Sequence, residues 1–98
     1  MPIQHTVLVK FKAGTTDEQK VEWVKEAQKL GDLIPQAKGV NAGLSITNRA
    51  NKGFDAGLSV VFVDQSAYDV YGPHDAHVAF KAFAANIVED KIIFDWDI

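Results

Sequence analysis

The chain reads as an α+β domain of the split βαβ, or ferredoxin-like, type: strand, helix, strand, strand, helix, strand, with the four strands in one antiparallel sheet. Three observations predict it. The first and last apolar segments alternate with a period of two, the segment after the first strand repeats at three and four, and a second helical segment is interrupted at Gly72-Pro73. With 98 residues there is room for one domain, spanning 1–98. An apolar content of 47% with only three prolines belongs to a packed chain rather than a disordered one.

From Ile3 to Phe11, the residues Ile3, His5, Val7, Val9 and Phe11 share one face, opposite Gln4, Thr6, Leu8 and Lys10. This is a strand with His5 on its more apolar side. Thr15 with Glu18, or Thr16 with Gln19, fits a capping box, and Asp17 and Glu18 suit the positive end of a helix dipole. The helix that starts there carries Val21, Val24, Ala27, Leu30 and Ile34 as its apolar stripe, with Trp23 at the border, and Pro35 stops it. Asn48 to Gly53 is a polar connection of hairpin type, and Phe54 to Asp64 reads as the third strand. In that strand Val61 and Val63 make the second half apolar on both faces, so it should be covered twice.

Gln65-Ser66 opens a short helix ending at Tyr71. Pro73 should deny Gly72 a helical conformation and open the next helix, whose inward stripe is His77, Phe80, Ala84 and Ile87. The closing strand, Lys91 to Ile98, sets Ile92, Phe94, Trp96 and Ile98 against Ile93, Asp95 and Asp97. A sheet with helices on one side leaves its other side to be hidden by a partner. A chain this short also buries only a modest core, so a homodimer is expected.

Charge and composition exclude several classes of function. A net charge of −3 with no Lys/Arg cluster offers nothing to a phosphate backbone or an anionic membrane. Zero cysteines remove disulfides, thiolate nucleophiles and zinc-thiolate sites and suit a reducing compartment. No apolar run approaches the roughly 20 residues of a membrane span, so the expectation is a cytoplasmic protein that binds neither nucleic acid nor membrane.

The concentrated chemistry lies in Tyr71-Gly72-Pro73-His74-Asp75-Ala76-His77, a phenol and two imidazoles around a chain break. His77 shares a stripe with Phe80 and Ala84 and should point between helix and sheet, where Tyr71 can meet it. Two readings stand: a general base held by the phenol, or a satisfied hydrogen bond that pins the break. His5 divides likewise between a core imidazole bonded to backbone or Asp95 and a residue that touches a ligand. His74 and His77, three apart, could reach one metal ion, but no carboxylate stands at a clear third position, so no metal is expected. Haem is disfavoured because no basic clamp for propionates lies near His5 or His77.

With His5 in the first strand, the Tyr71–His77 stretch and the closing Ile92-Ile93-Phe94-Asp95-Trp96, the chain resembles the stress-responsive A/B barrel family of dimeric α+β barrels. The resemblance implies a bend from Ile34 to Val40 and a second strand from about Val40 to Thr47. It also implies, from the cyclase-like members, that Tyr71 and His77 carry a cofactor-independent aldol closure of a poly-β-keto chain, with His5 in the same cavity. That cavity would be lined by Val7, Val24, Ala27, Leu58 and Phe80, and Trp23, Val24, Ala27 and Leu58 match the acyl-tail pocket of those members with a different shape. A further cavity histidine of those members falls here at about Ala56, so the substrate should differ. The rival implication is a non-catalytic stress-responsive protein whose cavity is incidental.

Overall fold

The computed structural model describes residues 1–98. Its elements are β1 (Ile3–Phe11), α1 (Asp17–Leu33), β2 (Lys38–Leu44), β3 (Ala56–Phe62), α2 (Gln65–Tyr71), α3 (Asp75–Ala84) and β4 (Val88–Asp97). The sheet runs β2-β3-β1-β4 with every neighbouring pair antiparallel. The ferredoxin-like order expected from the periodicities is the one observed.

Pleating fixes what each strand shows to the helices. Ile3, His5, Val9 and Phe11 of β1 and Ala56, Leu58, Val60 and Phe62 of β3 are all buried on the covered face, while Leu8 on the other face is 40% exposed. Register then decides the neighbours of His5, which stands between Val60 on one side and Asp95 on the other.

The α1 helix starts at the capping box of Thr16 and Gln19, each side chain satisfying the other's backbone N–H. Its buried stripe is Trp23, Ala27, Leu30 and the capping Ile34, so the expected phase is corrected by a fraction of a turn: Trp23 is central, Val24 is half-buried and Val21 is exposed. An indole hides far more apolar area than a valine, which turns the helix toward it.

The strand limits shift too. β2 begins at Lys38 and ends at Leu44, earlier at both ends than expected, with Gly39 at φ +52° where the register with β3 slips. β3 is shorter than Phe54–Asp64, because Asp64 leaves the strand to cap α2 by accepting from the Ala67 N–H at 2.9 Å. Val63 is therefore outside the sheet and 64% exposed rather than covered. β4 starts at Val88, three residues before Lys91, pairing with Phe11 across a bulge.

The break between α2 and α3 departs most from expectation. Gly72 keeps helical angles, φ −54° and ψ −55°, because the steric objection to helix before proline is aimed largely at a Cβ that glycine lacks. Pro73 does not open α3. That helix starts at Asp75, capped by His74, whose Nδ1 accepts from the Ala76 N–H at 3.1 Å.

All three helices lie on the face that His5 shares, and the opposite face is bare. There Leu8 pairs with Ile92, Thr6 with Phe94 and Gln4 with Trp96, and Ile92, Phe94 and Trp96 remain 45%, 65% and 46% exposed. Phe94 and Trp96 sit 6.0 Å apart, ring to ring, as one apolar strip.

Candidate active site

Tyr71 closes α2 on its buried side, packed against Phe62 at 4.9 Å between ring centres and only 2% exposed. Its hydroxyl is occluded and has no hydrogen-bond partner. Burial disfavours the phenolate, and the Tyr71 pKa is pushed up to about 12, so the group remains a proton donor throughout the neutral range.

His77 comes from α3 and lies over that ring, centroid to centroid 4.2 Å at 37°. The two do not hydrogen-bond to each other. Instead His77 Nδ1 lies 2.9 Å from the Gly72 carbonyl oxygen, which can only accept, so the proton sits on Nδ1 and Nε2 carries the free lone pair. Burial holds the imidazole below its ordinary value of 6.5, the Gly72 carbonyl opposes this, and the positive charges of Lys81 and Lys91 reinforce it. A neutral His77 with an open Nε2 can take a proton.

His5, 5% exposed, presents the second imidazole. Its Nδ1 is 2.6 Å from Asp95 Oδ1 and 3.0 Å from the Tyr68 hydroxyl, which donates to Asp95 Oδ2 at 2.7 Å. An ionised carboxylate accepts only, so Nδ1 bears the hydrogen here as well. Neither Nε2 has a protein partner and neither is occluded, unlike the Tyr71 hydroxyl. Burial and Asp95 both raise the Tyr68 pKa, which keeps this phenol protonated. Tyr68 was not singled out in the sequence. Its signal was the spacing of the chain's two tyrosines, three apart on one short helix and so on one face.

A cavity of about 560 Å³ lies between the helices and the sheet. Val7, Val9, Leu58 and Ile93 form its sheet wall, Trp23, Phe80 and Ala84 its helical wall, and His5, Tyr68, Tyr71 and His77 its polar corner. Lys81, Glu89, Asp90 and Lys91 line it from exposed positions at the mouth. Of the residues expected on the wall, Val7, Leu58 and Phe80 are there, and Val24 and Ala27 are not. The correction follows from the turned phase of α1: Ala27 is 0% exposed inside the core, and Trp23 takes the place on the cavity. Ala56 is buried in β3. No three His, Cys, Asp or Glu side chains gather closely enough to hold a metal ion.

Fold and corner together define a ferredoxin-like α+β protein with two imidazoles and two phenols gathered at one corner of a largely apolar hollow. The chain belongs to the family described as the stress responsive A/B barrel domain, whose model matches residues 3–98. It is 31% identical over 97 residues to olivetolic acid cyclase of Cannabis sativa, covering 98% of this chain and 96% of that one. Among solved structures it resembles a hydroxynitrile lyase from Passiflora edulis, with a TM-score of 0.89 and 14% identity over 99% of this chain and 93% of the other. It also resembles a dimeric ferredoxin-like protein from Thermobifida fusca, with a TM-score of 0.88 and 21% identity over 100% and 92% of the two chains.

Proposed function

We propose that this protein is a homodimer that binds a small carbonyl-bearing compound in one cavity per subunit and catalyses proton-transfer chemistry on it, of the cyclase or lyase kind, without a cofactor. The observation that carries the reading is the polar corner: a protonated, unpartnered phenol beside two imidazoles, each with its Nε2 bare. His77 Nε2 removes a proton from the carbon next to the carbonyl, and the Tyr71 hydroxyl donates to the oxygen on which negative charge then develops. The carbanion attacks a second carbonyl of the same chain, which takes the proton back from His77 as the ring closes. His5, fixed by Asp95 and Tyr68, is the second proton acceptor at the same corner.

Because the Tyr71 hydroxyl is occluded, the side chains over it, His77 among them, must move aside for a carbonyl to bind. The cavity volume falls within the range of small-molecule sites, which favours this reading over an incidental void. The likeness to the cyclase supports the cyclase form. Support for the dimer comes from the exposed strip of Ile92, Phe94 and Trp96, in line with the dimeric Thermobifida relative.

The test is turnover of a linear tri-β-keto thioester and of an aromatic hydroxynitrile by the wild type and by His77→Ala. Loss of turnover with the unfolding midpoint nearly unchanged supports the base assignment, and an equally active variant removes it. A wild type inert toward both compounds leaves the non-catalytic stress-responsive role standing.

A further inference from the structure

The mouth of the cavity carries charge that proton transfer at the inner corner leaves unused. Lys81 lies one turn beyond His77 on α3, which puts their Cβ atoms about 6 Å apart. Lys91 faces it from β4, where pairing with Val9 sets it on the helix side of the sheet. Both line the cavity and both are exposed. Neither forms an ion pair within the chain. The two acids at the same mouth do not pair with either lysine's ammonium: Glu89 lies 3.6 Å from Lys10 Nζ, and Asp90 Oδ1 accepts from the Lys91 backbone N–H at 2.8 Å. Two ammonium groups without a carboxylate partner, one from each wall, therefore flank the way in to a hollow that is apolar between its mouth and its inner polar corner. Their field reaches inward, since both help to disfavour the His77 imidazolium.

We infer that the ligand is a keto acid: its carboxylate seats between Lys81 and Lys91 at the mouth while its carbonyl lies against Tyr71 and His77. The inference rests on the proposed binding of a carbonyl compound in this cavity and adds a charge requirement to it. Lysine suits the task as a mobile point charge on a long apolar stem, which covers the rim while the ammonium stays in water.

The experiment compares 4-oxo-4-phenylbutanoate with its methyl ester by isothermal titration calorimetry, on the wild type and on the double variant Lys81→Met with Lys91→Met. Both lysines are exposed, so the variant should fold. The acid should bind the wild type about five-fold more tightly than the ester, the scale of exposed ion pairs. That advantage should shrink at high ionic strength and vanish in the double variant, with the ester's affinity unaltered. An ester that binds as well as the acid overturns the keto-acid assignment and leaves the cavity reading intact. A preference for the acid that survives in the double variant also overturns it. If neither compound binds, the cavity reading fails and this inference with it.

Discussion

Replacing Tyr71 by Phe removes one oxygen and leaves the ring that packs against Phe62 and His77. In most cores such a change costs about 1 kcal/mol, the usual worth of a hydrogen bond. Here the sign should reverse. The hydroxyl is occluded without a partner, so the folded state carries its desolvation penalty of roughly 1–3 kcal/mol with nothing in return. The small void left by the oxygen forfeits a handful of dispersion contacts at about 0.1–0.2 kcal/mol each. The net expectation is a gain of about 1 kcal/mol, which in a domain of this size raises the thermal midpoint by roughly 4–8 °C. Thermal and urea unfolding of both proteins at one fixed concentration measures it, since a dimer's midpoint depends on concentration. A loss of about 1 kcal/mol would refute the reasoning, because it would mean that the phenol donates to a group such as His77 in solution.

Two further outcomes follow from the geometry. Burial depresses the His77 pKa below 6.5, so the unfolded chain binds more protons than the folded one as pH falls through that value. The stability this group contributes is complete above about pH 6.5 and is lost below it, and His77→Gln should flatten that part of the urea-midpoint profile relative to wild type. On the bare sheet face, Phe94→Asp places a charge where 65% of a phenylalanine lies open for burial. The dimer proposed above should dissociate, with roughly 1.5–3 kcal/mol of apolar transfer energy lost per protomer. Light scattering behind a sizing column reads the stoichiometry, and an unchanged dimer would move the interface elsewhere.

Period-two patterning made β1 legible to the residue, and with it the face of His5, because one slip would have turned every valine outward. Asp95 was a candidate partner for His5 for the same reason, since its own alternation placed it opposite Ile92, Phe94 and Trp96. The phase of α1 was not fixed in this way. Val21-Val24 and Trp23-Ala27 are both acceptable helical spacings that the sequence leaves undecided, which is why Val21 and Val24 were expected in the apolar stripe and Trp23 was placed at the stripe's border. Gly72 and the start of α3 were misread for a local reason: the rule about residues before proline is mostly a rule about Cβ, and Pro73 suits a first helical turn that the chain instead opens at Asp75. Tyr68 went unnoticed because its partners, His5 and Asp95, are 63 and 27 residues away.

Where polar atoms go unpaired is itself an argument. A native core satisfies nearly all its buried donors and acceptors, and unpaired ones call for a reason. In this chain the occluded, partnerless side-chain atoms are Trp23 Nε1 and the Tyr71 hydroxyl, and both residues line the same cavity. Phenylalanine at position 71 would fill nearly the same space without the penalty. The two open imidazole nitrogens belong to that wall as well, while the other side of each ring is bonded to Gly72 or Asp95. Hydrogen-bond satisfaction that holds through the capping box and the strand pleats therefore fails for two occluded groups, and both stand at this one cavity. Such a concentration is expected where unsaturated hydrogen-bonding capacity is kept for a guest, and is not expected where packing alone has shaped the interior.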